Sequence, residues 1–397
     1  MENSTLQKNT GKFVFDSESP KVLRISKNII ISTVTNKKTL WSFLQVPWRV
    51  YEKDKFWVPP LWKKTRDFLK KDNPYWTHSE SQLFVAYKDN MAVGRIAAFI
   101  DYNLPKLEGE KVGYFGLFEC QADFKIASVL LKEAENWLAS KGINVMHGPV
   151  NGRIDLGSGF LLDGFGSIPY LLGSYSPKYY IDFANDYGLK KSRDLVSYHI
   201  DLTKPIPSLV KESAERCKAS GVKIRPLNRF QFRKELQIWF DMLLEVFADH
   251  YGYTPASYEE MMVTFGIKEL RWAMNPKLFL FAESEGQPIG FRWSLPDYNT
   301  VFKKLNGKLG IAGILKFLWY ARNIERGRFI IMGIKKKYRG QGIGTCMNYH
   351  TLTEMKKQGY TCAEYGWIDE SNIASRKAGE KMGGKLYKTY RVYEKDI

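Results

Sequence analysis

Arg339-Gly340-Gln341-Gly342-Ile343-Gly344 stands between two stretches of different character. Before it, Phe329-Ile330-Ile331-Met332-Gly333-Ile334 is a short apolar run of the kind a buried strand requires. After it, Thr345 to Leu352 carries helical spacing. Strand, glycine loop and helix in that order make an anion cradle. Glycines allow a sharp turn and leave the backbone N–H groups bare, and a helix N-terminus adds partial positive charge. Arg339 adds a full one. The loop therefore suggests a pyrophosphate ligand. An ordinary glycine turn is the plainer alternative, and the flanking strand and helix argue against it. No lysine follows the glycines, which disfavours a nucleotide-hydrolysing P-loop.

Working outward, the chain repeats itself. Leu83–Asn103 (LFVAYKDNMAVGRIAAFIDYN) and Phe279–Asn299 (FLFAESEGQPIGFRWSLPDYN) align without gaps and share Ala, Gly and a terminal Asp-Tyr-Asn. Each reads as a hairpin. Each is followed by an apolar strand, a helix ending in glycine, a strand, a second glycine-terminated helix and a lysine-rich strand. This predicts a flexible tail at 1–20, a first domain at 21–202, a linker at 203–221 and a second domain at 222–397. In the first copy the loop is Glu119-Cys120-Gln121-Ala122-Asp123, with two acids and no glycine. It would repel a pyrophosphate, so one anion site per chain is expected.

The 397 residues are 44% hydrophobic, enough for two sizeable cores, and the formal net charge is +18. That charge suits a phosphate-rich ligand, an anionic membrane or nucleic acid, and does not choose among them. Four scattered cysteines form no CxxC pair, so neither a disulfide framework nor a zinc site is expected and a reducing cytoplasm fits. The polar N-terminus does not read as a signal peptide, and no apolar run has membrane-spanning length.

The order of hairpin, strand, R-x-x-G-x-G loop, helix, strand, asparagine-led helix and final strand resembles the GCN5-related N-acetyltransferase superfamily. The resemblance covers residues 222–397 best, and the first half resembles a diverged second copy. Gly148-Pro149 and Tyr175-Ser176-Pro177-Lys178-Tyr179-Tyr180 are similar to a bacterial tandem subfamily that includes acyl-CoA-dependent ceramide synthases. The implied fold is α/β: two tandem acyl-CoA N-acyltransferase-like domains, each a mixed, mostly antiparallel twisted sheet flanked by helices. The implied donor is acetyl-CoA or a longer acyl-CoA, with no metal, and the acceptor is an amine. The resemblance implies that the backbone at Gly340, Gln341, Gly342, Ile343, Gly344 and Thr345 would hold the pyrophosphate, Arg339 would flank it, and a backbone N–H near Gly333 or Ile334 would polarise the thioester carbonyl. Asn372 would cap the last helix or touch the CoA arm.

In that family a tyrosine on the last helix often protonates the departing thiolate. Here the matching position is Gly379. Tyr365 and Tyr349 are the substitutes within reach in sequence. For the base, Asp369, Glu364 and Asp297 are candidates, and His250 falls where an acceptor loop is expected. Each also has a plain structural reading.

The second copy carries an insertion after its hairpin. Leu309–Ala321 is apolar apart from Lys316, and Lys303, Lys304, Lys308, Arg322, Arg326 and Arg328 flank it. It predicts either a helix packed on the domain or at a dimer contact, or an interfacial helix, with 303–328 facing an anionic membrane. The expectation is an acyl-CoA-dependent N-acyltransferase acting on an amine, including a long-chain or lipid amine. It would be cytoplasmic, and peripheral on the inner membrane face if the insertion is interfacial. An aminoacyl-tRNA-dependent peptidyltransferase and a non-catalytic acyl-CoA binder are the alternatives. The well-formed loop argues against nucleic acid as the main partner.

Overall fold

The apolar runs form strands and the glycine-terminated stripes form helices in a computed structural model that describes residues 13, 21–104, 111–248, 253–264 and 274–397. The first copy contains β1 (Val22–Arg24), β2 (Ile29–Thr33), α1 (Lys37–Val50), α2 (Trp62–Phe68), β3 (Ser79–Lys88), β4 (Met91–Asp101), β5 (Val112–Cys120), α3 (Phe124–Ser140), β6 (Val145–Gly148), β7 (Phe160–Asp163), α4 (Tyr179–Asp186) and β8 (Lys190–Asp201). The second contains α5 (Ser208–Ala219), β9 (Lys223–Pro226), α6 (Phe232–Phe247), α7 (Tyr258–Thr264), β10 (Phe279–Ser284) and β11 (Gln287–Pro296). It continues with α8 (Asn299–Leu305), α9 (Ile311–Ala321), β12 (Arg326–Ile334), α10 (Ile343–Lys357), β13 (Cys362–Asp369), α11 (Ile373–Lys381) and β14 (Lys385–Asp396).

The strands form one mixed, mostly antiparallel sheet in the order β1-β2-β3-β4-β5-β6-β14-β8-β13-β12-β11-β10-β9. Only β5/β6 and β12/β13 are parallel. The repeat extends to register. Gly94 faces Cys120 and Phe99 faces Tyr114; Gly290 faces Ile334 and Leu295 faces Arg328. The hairpin offset is thus 196 (290 − 94 and 295 − 99), and the next strand's is 214 (334 − 120 and 328 − 114). Both ladders carry a bulge, between Arg95 and Ala97 in the first copy and between Trp293 and Ser294 in the second.

The final strands are exchanged. β8 ends the first copy but adds to β13 of the second, while β14 adds to β6 of the first, and the two pair with each other at the centre. The segment 203–221 contains α5, which buries Val210, Ala214 and Cys217 against the α10 side of the second copy.

Helices lie close on the sheet where glycine permits it. α3 buries Ile126, Ala127, Leu130, Leu131, Ala134 and Leu138, one stripe at helical spacing. A Cβ on Gly113 would come within 2.5 Å of Leu138, and one on the matching Gly327 within 2.7 Å of Met355 of α10. No helix among the described residues is long and apolar enough to cross a membrane.

Candidate active site

β12 and β13 pair only from Arg326–Phe329 to Cys362–Tyr365. Beyond Phe329, β12 stays with β11, while β13 turns to β8 through Ile368 and Asp369. The strands splay, and the edge of Ile330–Ile334 that faces β13 has no strand partner among the described residues. An extended amide chain can hydrogen-bond to such an edge as an added strand.

The glycine loop lies at the open end of this cleft. Gly340 and Gly342 have φ of +81° and +80°, a region that favours glycine. Gly342 leads into α10, which has neither a side-chain cap nor an acidic residue in its first turn. Among the described residues, no acceptor is bonded to the N–H groups of residues 340–345. A Cβ on Gly344 would stand 3.1 Å from Met332, so the helix start presses on the strand end. Gly333 serves packing as well, since a Cβ there would be 2.5 Å from Phe291. Arg339 is exposed at the rim of the loop. Its Nε donates to the Ile334 carbonyl at 3.0 Å and its Nη2 to the Val246 carbonyl at 3.2 Å, tying the loop to β12 and α6. It braces the cradle and keeps its charge at the rim.

At the closed end of the splay, Phe329 and Tyr365 meet edge to face with centroids 5.7 Å apart. The Arg292 guanidinium lies 4.4 Å from the Phe329 centroid and 5.1 Å from that of Tyr365. Burial pushes Arg292 down to about 10, opposed by Tyr365. Its Nε and Nη2 have no partner, and both polar atoms of buried Asn348 on α10 are likewise unpartnered among the described residues. Gly379 lies against the same ring: a Cβ there would be 3.1 Å from both Tyr365 and Tyr198. The space a side chain on α11 would need is already filled by these tyrosines. Tyr349 is elsewhere, half-buried against the α5–α10 cluster.

The opposite face of the strands carries the carboxylates. Glu364 is fully buried and paired with Arg328 at 2.6 Å. Asp297, also fully buried, accepts from the backbone of Leu171 (2.8 Å) and Asn299 (3.2 Å) and pairs with Arg326 at 3.0 Å. Burial raises its pKa to about 6 against the Arg326 charge. It repeats Asp101 of the first copy, which accepts from Asn103 N–H at 3.0 Å. Asp369 is the last residue of β13 rather than a residue beyond it. Burial would raise its pKa, but hydrogen bonds from Ser371 and the Arg193 charge hold it below the ordinary value. The Ser371 hydroxyl lies at 2.6 Å and Arg193 at 2.8 Å. Stabilised in this way, Asp369 is a turn anchor and a weak base. Asn372 caps α11, accepting from Ser375 N–H at 3.0 Å. His250 lies outside the described residues.

The loop stands at the open end of the splay and Tyr365 at its closed end, whereas Glu364 lies within the paired part of β12 and β13, on the opposite face of β13 from Tyr365. Arg292 was missed from the sequence, where its signal was a charge inside an otherwise apolar strand. Arg326 and Arg328, expected to flank a membrane-facing segment, instead lie in β12 and pair with Asp297 and Glu364. Among the described residues, no cluster of three His, Cys, Asp or Glu side chains could hold a metal ion.

In the first copy the matching splay, beyond Tyr114/His147, is filled by the chain itself. Val150 N–H donates to the Phe115 carbonyl at 2.7 Å, and Leu117 N–H donates to the Asn151 side chain at 2.7 Å. A Cβ on Gly116 would meet the Val150 carbonyl at 2.1 Å. Glu119 stands buried behind this segment, its pKa pushed up to about 7 by burial against the pull of Arg95.

The model of the acetyltransferase (GNAT) family matches residues 239–383. A protein of Caulobacter vibrioides (strain NA1000 / CB15N) named bacterial ceramide synthase is 32% identical over 378 residues, covering 93% of this chain and 98% of that protein. Protein YghO of Escherichia coli (strain K12) is 28% identical, covering 94% and 97%. Among solved structures, a tandem GNAT protein from the clavulanic acid biosynthesis pathway superposes with a TM-score of 0.53 at 10% identity, covering 93% of this chain and 98% of that one.

Proposed function

Because the chain belongs to the acetyltransferase (GNAT) superfamily and is an acyl-CoA-dependent acyltransferase, we propose that it transfers a long acyl group from CoA to a long-chain or lipid amine. The observation that carries the donor side is the open splay and bare loop of the second copy, set against the filled splay of the first. The acceptor class is supported by the relative named a ceramide synthase, since a ceramide is the amide of a long-chain amine. The second domain, 222–397, carries the chemistry. The first, 21–202, shapes the acceptor side.

In this reading the N–H groups of residues 340–345 hold the donor's pyrophosphate, with Arg339 bracing them. The pantetheine amides pair with the free edge of Ile330–Ile334, and a backbone N–H near Gly333 or Ile334 meets the oxyanion. The amine nitrogen attacks the thioester carbon, the C–N bond forms and the C–S bond breaks. The amine proton passes to Glu364 and the thiolate takes a proton from the Tyr365 hydroxyl, giving amide and free CoA thiol, after which solvent carries the Glu364 proton back to the Tyr365 phenolate. Asp297 and Asp369 hold their loops in place. The protein works in the cytoplasm.

Thiol release from purified protein, measured with acetyl- and palmitoyl-CoA and a panel of amines, tests this. The expected result is rapid release with the long-chain donor and a long-chain amino alcohol, with mass spectrometry showing the amide. Release only with acetyl-CoA and water-soluble amines would overturn the lipid acceptor. Tight CoA binding with no release for any pair would overturn catalysis.

A further inference from the structure

α9 has no buried residue. Phe317 packs on Tyr298, 5.3 Å between centroids, and Lys304 lies over Tyr320 at 4.3 Å, so one side of the helix rests on the domain. The other side presents Ile311, Ile314, Leu315, Leu318 and Trp319, which are 49–85% exposed. A run of large exposed apolar residues on one helix face marks an interaction surface.

The surface does not end with the helix. The turn before α9 docks on the first copy. Trp62 N–H donates to the Gly307 carbonyl at 3.1 Å, and Trp48 Nε1 donates to the Asn306 side chain at 3.2 Å. Trp48 stacks on Trp62 at 4.0 Å, and Trp62 on Trp41 at 5.1 Å. Trp41, at the end of this stack, is 55% exposed. A tryptophan ladder from one copy therefore adjoins the apolar helix of the other.

Along the segment that carries the helix, the charges share one sign. From Asn299 to Ile324 there are Lys303, Lys304, Lys308, Lys316 and Arg322, and no acidic residue. Among the described residues none of the five is in an ion pair. Lys37 and Lys38 flank Trp41 at the start of α1.

We propose that α9 and the Trp41–Trp62–Trp48 stack form a single membrane-docking surface for a bilayer rich in anionic phospholipid. The helix lies flat, its apolar face among the acyl chains and its lysines at the headgroups. Tryptophan at the edge suits the interfacial layer, where an apolar ring and a polar N–H are both satisfied. The charge complementarity favours a lipid surface over a second copy of this basic chain. The inference rests on this surface alone and stands whatever amine the enzyme acylates.

Flotation of the full-length protein with vesicles of equal parts phosphatidylglycerol and phosphatidylcholine tests it. Binding is expected to the mixed vesicles, weaker in high salt and weaker still to phosphatidylcholine alone. The pair Leu315→Glu and Trp319→Glu should lower binding at least about ten-fold. Circular dichroism and melting should stay unchanged, because both side chains are about two-thirds exposed. Trp41→Ser should lower binding by a smaller factor, and unchanged binding would remove the stack from the surface. No binding to anionic vesicles, or equal binding by the double variant, overturns the proposal. So does a wild-type dimer in light scattering that the double variant reduces to a monomer, for the face would then be a self-contact.

Discussion

Glu364→Gln separates two readings of the same carboxylate. The Glu364 and Arg328 side chains are 0% and 3% exposed and meet at 2.6 Å. Glutamine keeps the shape and removes the charge, so Arg328 is left buried without its counter-ion. Breaking a buried pair from one side costs about 3–5 kcal/mol. The shared sheet makes one cooperative unfolding unit the reasonable expectation. With an unfolding entropy of about 2.1 cal/mol/K per residue, the 397 residues give roughly 0.8 kcal/mol/K. The melting temperature should therefore fall by about 4–6 °C. Replacing both partners, Glu364→Leu with Arg328→Met, should recover most of this, because two apolar groups leave no stranded charge. Scanning fluorimetry and urea titration read the stability. Thiol release, measured well below the melting point, reads the chemistry. If Glu364 takes the amine proton, both variants lose turnover although only the single variant is unstable. A Glu364→Gln protein with wild-type melting would refute the reasoning about the pair, and an unstable but fully active one would refute the role in proton transfer.

Gly342→Glu forces a side chain into a positive-φ site, at roughly 1–2 kcal/mol, and puts a carboxylate into the cradle. Calorimetry should show CoA binding lost with the fold intact, and unchanged affinity would mean that the loop is misread. Tyr365→Phe should lower kcat about a hundred-fold, the low end for general acid catalysis, with KM little changed. The deficit should shrink with an aryl thioester, whose thiolate leaves unaided, and an equal deficit with both donors would exclude Tyr365 as the acid. His78 joins the copies, 2.8 Å from Asp101 of β4 and 3.0 Å from Glu260 of α7, which Arg153 also contacts. Burial alone would lower its pKa, but Glu260 and then Asp101 outweigh that and raise it. The stabilisation from charged His78 is therefore fully present below about pH 6.5 and is lost as pH rises through the elevated folded value. Melting curves across this range should show the fall in the wild type and a flatter profile in His78→Gln, and parallel profiles would dismiss the linkage.

Much of this fold was legible because its signals are local. The gap-free hairpin repeat, the glycines that end α3 and α10, and the strand–glycine–helix order each lie within about two dozen residues. What escaped was long-range. A lysine-rich final strand carries no mark of which copy it joins, since β8 and β14 have similar edges and either could pair at home. The filling of the first splay by Val150 and Asn151 depends on a segment distant from β5 in sequence and could not be inferred from the acids of its loop. The carboxylates were readable as candidates but not as roles. Burial and partners, Arg328 for Glu364, Arg326 for Asp297 and Ser371 with Arg193 for Asp369, separate them, and none of these partners is marked by spacing.

The exchanged final strands also impose an order on synthesis. β6 has only β5 beside it until β14, made far later, has left the ribosome. Until then the first-made half carries an open sheet edge, the kind of surface that recruits wrong partners. A chain that stops just short of residue 385 lacks not the rim of its second half but the middle of the whole sheet. Quality control acting on nascent chains would thus see every prematurely ended copy as unfinished from both sides.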